Sequence, residues 1–293
     1  MRKCEQLLAR KANLSAIEES QTAIHYLLQI LDQHGNQYQC EPLWSEAQQS
    51  FREAEDFTVA QRMASDPQFL VRLVESHESR VLKEADVSQL SPLAAAQHYH
   101  RHTQNRLVLA SAGHPWASEL YYVLGRALQA RADEGGDAAD ALRQRAVTYY
   151  RAAREIMPAN SMATNQLGYL LLTMDRPTDA REALLAATHS GGTIASWQNL
   201  VEANRRLGDS AGHSWAMQNF AALNRRMPAQ SPNPPYVELA PHQFAMLSPH
   251  DSGPKLPQSA PANSMQPGVQ PSQPSTTGRG YTANRFGNAP AVR

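Results

Sequence analysis

Apolar residues fall at helical spacing along most of this chain, and no stretch before residue 229 alternates as a strand would. The pattern predicts an all-α protein. Ser15 followed by Glu18 has the form of a capping box. Ile17, Ile24, Leu27, Leu28 and Leu31 then share one face of a helix that Gly35 would close. A second helix is predicted over 44–63, with Trp44, Ala47, Phe51, Ala54, Val59 and Met63 as its apolar positions. Asp66-Pro67 supplies an N-cap and a first-turn proline for a third, expected to bury Leu70, Leu73, Val74, Val81 and Leu82. Ser91-Pro92 repeats that signal for a helix running to about Ala112 and ending at Gly113.

Beyond His114-Pro115 the helices are predicted to come in pairs. The first pair carries Trp116, Leu120, Val123, Leu124, Ala127 and Leu128, is interrupted at 133–137, and resumes from about 138 to 157, before Pro158. The second carries Met162, Leu167, Leu170 and Leu171, breaks at Asp175-Arg176-Pro177, and continues from Thr178 to Thr188. The third carries Trp197, Leu200 and Ala203, turns at Leu207-Gly208-Asp209, and continues through Ala216, Phe220 and Leu223 to Pro228. Three positions recur with an offset of 34: Ala146, Tyr150 and Ala153 are matched by Ala180, Leu184 and Ala187. A Leu-Gly pair precedes each set, Leu124-Gly125 and Leu167-Gly168. Small residues let helix axes approach, and large ones fill the holes beside them. A repeat of this length predicts stacked helical hairpins, because one hairpin cannot bury its apolar face alone.

These residues resemble the tetratricopeptide repeat (TPR) family. The first unit supplies Tyr121, Leu124, Gly125, Leu128, Ala146, Tyr150, Ala153 and Pro158, with a nine-residue extension of its turn. The second supplies Leu167, Gly168, Leu171, Ala180, Leu184 and Ala187. The third supplies Trp197, Leu200, Ala216, Phe220 and Pro228 and matches least well. Thr103, Leu107, Ala110 and Pro115 fit the second half of a preceding unit. The resemblance implies a TPR-type solenoid of about three repeats over 92–228. Irregular helices over 1–91 precede it, and a disordered tail over 229–293 follows it.

In this family the first helix of each hairpin lines a concave groove. The implied groove residues are Tyr122, Arg126 and Gln129, then Asn165, Gln166, Tyr169 and Leu172, then Gln198, Asn199, Glu202, Arg205 and Arg206. Amides can bond the main chain of an extended peptide, and arginine can grip a carboxylate at two points. The resemblance therefore implies a non-enzymatic adaptor or scaffold that binds a peptide or protein segment. Some TPR domains clamp the C-terminal carboxylate of chaperones with lysines. Here Tyr122 and Ala195 stand at those places, and no lysine lies between Lys83 and Lys255, so that ligand is not expected.

Composition narrows the alternatives. Lys+Arg and Asp+Glu number 27 each, a balance that disfavours a dedicated nucleic-acid binder and strong attraction to anionic membranes. No run of about 18 apolar residues is present to span a membrane. The N-terminus lacks the apolar core of a signal peptide, so a cytoplasmic location is expected. Cys4 and Cys40 make neither a disulfide framework nor a metal quartet. No glycine-rich phosphate loop and no nucleophile motif occurs, and no cofactor is expected. His98 and His102 share a helical face as two metal ligands would, but a solvated stripe is the expectation there. Homodimerisation through the N-terminal helices is a second reading, with the chain as an assembly or regulatory subunit. The tail holds 12 of the 19 prolines and too little apolar surface to offset its ordering entropy. Within it, 236–247 is expected to cap the last hairpin or recruit a partner, and 271–274 has a PxxP-like form.

Overall fold

The computed structural model describes residues 1–34, 39–62 and 67–226. Among these the chain forms helices and no strand: α1 Arg2–Ala9, α2 Asn13–Gln33, α3 Cys40–Arg62, α4 Pro67–Ser76, α5 Pro92–Ala110, α6 Pro115–Asp133, α7 Ala139–Ile156, α8 Ser161–Thr173, α9 Pro177–His189, α10 Ile194–Arg206 and α11 Ser210–Arg226, with a 3₁₀ turn at Val87–Gln89. The chain divides into two units, Met1–Pro232 and Asn233–Arg293. Gly35, Asp66, Pro228 and the segments 236–247 and 271–274 lie outside the described residues, as do the side chains of Val59 and Met63.

Local signals start several helices where they were predicted. The Ser91 hydroxyl accepts from the Ala94 N–H at 3.1 Å, and Pro92 follows in the first turn of α5. Proline also opens α6 and α9. Asn160 and Thr193 cap α8 and α10 by accepting from Ala163 and Ser196.

Three starts or stops differ from the prediction. α2 begins at Asn13, so Ser15 and Glu18 lie inside it rather than forming a capping box. Lys11 turns the chain at φ 59°, and the Ala12 N–H closes the end of α1 on the Leu7 carbonyl at 2.9 Å. α3 begins at Cys40, ahead of the predicted Trp44. The Asp32 carboxylate of α2 accepts from the Cys40 and Glu41 N–H groups at 2.6 and 3.1 Å. Burial works to raise the Asp32 carboxyl, but these backbone bonds outweigh it and hold the group below the usual range. α4 stops at Ser76, so Val81 and Leu82 pack from a loop and not from that helix. Glu53 holds this loop by accepting from the Glu78 and Ser79 N–H groups at 2.8 and 3.1 Å.

α6–α7, α8–α9 and α10–α11 are antiparallel-neighbour hairpins, and α7 packs on α8 as α9 packs on α10. The 34-residue pattern is their core. Ala146, Tyr150, Ala153, Ala180, Leu184 and Ala187 are all fully buried. A Cβ placed on Gly125 would lie 2.6 Å from the Tyr150 ring, and one on Gly168 would lie 2.7 Å from Leu184 Cδ2. The two glycines therefore take the same large partner position in successive hairpins. Leu124, Leu167, Leu200 and Ala216 are buried as well, whereas Trp197 and Phe220 are only half-buried. Trp116, counted among the apolar positions of α6, is 57 % exposed.

Residues 1–91 do not form a separate body. Cys4, Ile24, Leu28, Cys40, Trp44 and Phe51 join the same apolar cluster as the hairpins, with both cysteine thiols buried in it. Trp44 stacks on Tyr121 with centroids 6.1 Å apart, and Phe51 meets Tyr149 at 5.3 Å. Gln48 Nε2 donates to the Tyr149 hydroxyl at 2.9 Å, and the Tyr121 hydroxyl donates to the Leu107 carbonyl at 3.1 Å. α5 packs on α3 and α7, and α2 is the helix that runs along α6. A smaller cluster of Phe57, Leu70, Val74, Leu82, Val87 and Tyr99 fills the far ends of α3 and α5.

Gly168→Ala should cost about 1–3 kcal/mol in urea unfolding by overpacking against Leu184, and Leu167→Ala about 2–5 kcal/mol by leaving a cavity. Combining Gly168→Ala with Leu184→Ala should cost less than the two single losses together, since the new methyl enters the vacated space. Strictly additive losses would place the two residues out of contact.

Candidate functional site

The first helices of the hairpins present the residues expected of a binding surface. α6, α8 and α10 pack directly on one another in succession, more closely than the second helices do. α8 and α10 are bonded to each other across that surface. Asn199 Nδ2 donates to Asn165 Oδ1 at 3.1 Å, and Arg206 Nη1 donates to the Leu172 carbonyl at 2.7 Å. Both pairs are separated by 34 residues. The second bond satisfies a last-turn carbonyl of α8 that has no partner inside its own helix.

Charge on α10 is organised by Glu202. Arg205 donates to both of its carboxylate oxygens, at 2.7 and 2.8 Å, and Arg206 Nε donates at 2.7 Å. The hydrogen bonds from Arg205 and Arg206 pull the Glu202 carboxyl down to about 2, so it is ionised at any ordinary pH. The Arg205 side chain remains 62 % exposed, and Gln198 beside it is exposed. On α8, Tyr169 and Met162 are exposed, and Asn165 and Gln166 are half-buried. The Arg126 guanidinium lies 5.8 Å from the centre of the Tyr122 ring.

Three of the expected groove residues are corrected. Tyr122, Gln129 and Leu172 are buried and out of reach of a ligand. Gln129 Oε1 is taken by the Tyr150 hydroxyl at 2.9 Å. α2 runs along α6, and Asn13 at its start donates to Glu134 just beyond the end of α6 at 2.7 Å. Burial, partly opposed by Arg126, raises the Tyr122 phenol. The accessible part of the surface therefore belongs to α8 and α10, with Arg126 at its edge.

His98 is exposed, and His102 Nε2 accepts from Arg106 Nε at 3.3 Å. No group of three or more His, Cys, Asp or Glu side chains converges on a metal-sized site among the described residues. No helix among them is long and apolar enough to cross a membrane.

A cleft of about 830 Å³ lies elsewhere, between α5 and α7 with the end of α8. His100, Arg101, Arg143, Arg151 and Arg176 line it. His100 Nδ1 sits 3.5 Å from the Thr148 hydroxyl. Burial first, then the charges of Arg145 and Arg151, push His100 down to about 4. These residues carry no shared motif in the sequence. Only the packing of α5 on α7 assembles them, so nothing short of the fold points to the cleft.

No protein family, curated protein or solved structure matches this chain.

An unfolded histidine titrates near 6.5, so from there down to about 4 the unfolded chain takes up a proton that folded His100 refuses. Folding stability should therefore fall as pH drops through that window. His100→Gln should flatten this part of the profile relative to the parent, read as urea midpoints at pH 7, 6, 5 and 4.5. Parallel profiles would show that His100 titrates normally in the fold.

Proposed function

We propose that this chain is a non-enzymatic adaptor of the TPR type, holding an extended peptide or protein segment on the inner surface of its repeated hairpins. The observation that carries this reading is the direct bonding of successive first helices, Asn165 of α8 to Asn199 of α10 and Leu172 to Arg206. A solenoid is expected to stack the first helices of neighbouring hairpins side by side in this way. The Gly125–Tyr150 and Gly168–Leu184 contacts agree with it. So does the closer approach of α6, α8 and α10 than of their partner helices, since helices that approach more closely lie on the inside of a curve.

The chemistry of the surface favours a main-chain ligand with acidic or aromatic side chains. Amides at Asn165, Gln166, Gln198 and Asn199 offer paired donors and acceptors. Tyr169 supplies a flat apolar contact with a polar edge, and Arg205 an exposed guanidinium. Glu202 keeps part of the arginine charge engaged, so a ligand carboxylate has to compete with it at Arg205.

Selection of a displayed peptide library on the full chain, followed by titration of the recovered peptides, tests the reading. Combined Tyr169→Ala, Asn199→Ala and Arg205→Ala substitution should weaken binding about tenfold or more with helical content retained, as loss of interface anchors does. Affinities unchanged in that variant would remove the inner surface as the binding site.

A further inference from the structure

The cleft between α5 and α7 differs from the repeat surface in its charge accounting. Most arginines around it are tied to a carboxylate. Arg143 meets Asp140 at 2.9 Å, Arg145 meets Glu55 at 2.6 Å, Arg154 meets Glu182 at 3.5 Å, and Arg176 is paired with Asp179. Arg151 is different. It is half-buried and makes no hydrogen bond or ion pair among the described residues. Its five N–H donors are thus unspent. Burial disfavours its charge, and the neighbouring Arg176 adds to this, with Asp179 and Glu182 only partly compensating. Arg101, exposed on the same cleft, also lacks a partner among the described residues.

A guanidinium held half out of water, beside another cation and with no carboxylate paired to it, costs stability unless something completes it. The carboxylates of the cleft are not available for that task. Asp179 and Glu182, the carboxylates that act on Arg151, are paired with Arg176 and Arg154, and Glu55 and Asp140 with Arg145 and Arg143. His100, pushed down to about 4, is neutral near pH 7 and adds no charge of its own there. The rest of the lining includes the apolar surfaces of Leu93, Ala96 and Met174. The volume, about 830 Å³, falls within the range of sites for small molecules.

We propose that this cleft binds a small organic anion, with its phosphate or carboxylate on Arg151 and its apolar part against Ala96 and Met174. Arg101 adds a second positive charge at the site. The site lies apart from the inner surface of α8 and α10, so either assignment can fail without the other.

The test uses the full chain with phenyl phosphate, inorganic phosphate, phenol and sodium chloride at matched ionic strength, reading Tm and calorimetric binding. Phenyl phosphate should give a saturable rise in Tm, inorganic phosphate a smaller one, and phenol none beyond salt. Arg151→Gln should weaken phenyl phosphate about tenfold or more, as loss of a charged hydrogen-bond partner does. Without any anion, the same variant should melt at or above the parent temperature, because the uncompensated charge is gone. Arg151→Lys keeps the charge without the fork, and should weaken binding while preserving the fold. Arg101→Gln, at an exposed position, should lower affinity without lowering Tm and serves if Arg151→Gln does not fold. A rise with sodium chloride equal to that with phenyl phosphate, or unchanged affinity in Arg151→Lys and Arg101→Gln, would overturn the assignment. Equal affinity for inorganic phosphate and phenyl phosphate would overturn its organic part.

Discussion

The fold depends on how closely two helix axes can approach inside each hairpin. At Gly125 and Gly168 there is no side chain, and the Tyr150 ring and the Leu184 side chain occupy the space a Cβ would need. Interiors pack at crystal-like density, so the separation between the paired helices is set by these contacts within a few tenths of an ångström. The small residues around them, Ala146, Ala153, Ala180 and Ala187, are fully buried and extend the close approach along the second helices. The third hairpin packs on the second through α10, which meets both α8 and α9. There Asn199 reaches Asn165.

The N-terminal helices attach to this repeat through aromatic packing rather than by continuing it. Trp44, Phe51, Tyr121 and Tyr149 form one connected group, and the two tyrosine hydroxyls find partners at Leu107 and Gln48. Burial pushes Tyr149 up to about 12, and Tyr121 is raised well above its ordinary value for the same reason. Thr103, Leu107 and Ala110 of the expected half-unit belong to α5, and Pro115 opens α6, yet α5 packs on α3 and α7 while α2 lies along α6. That exchange changes what the first hairpin can offer. Tyr122 and Gln129 serve the interior, and the open polar surface shifts to α8 and α10.

Two kinds of arginine separate the surface from the cleft. Arg205 and Arg206 share Glu202 and lie where water screens them. Such pairs contribute little to stability, and a ligand can exchange with them readily. Arg151 has no such partner and is half out of water. The first arrangement suits a surface that meets an extended chain. The second suits a site whose ligand brings the missing charge.

Sequence alone determined the helical class, the pairing of helices beyond residue 114 and the positions at which each pair touches. Those properties follow from local spacing. A glycine, a large residue and an alanine set at helical intervals mark the faces on which two helices can approach closely, and a short turn makes the next helix the nearest candidate. The caps at Ser91 and Asn160 are of the same local kind. Tertiary structure decided the rest, because the deciding groups lie far apart in the chain. Asp32 caps α3 from the previous helix, Glu53 holds the loop after α4, and α2 covers α6 across about a hundred residues. The cleft is the extreme case. Arg101 and Arg151 are ordinary polar positions on two separate helices, and they become neighbours of one cavity only when α5 packs on α7. Helical periodicity records which side of a helix is apolar, but it does not record which other helix will cover it.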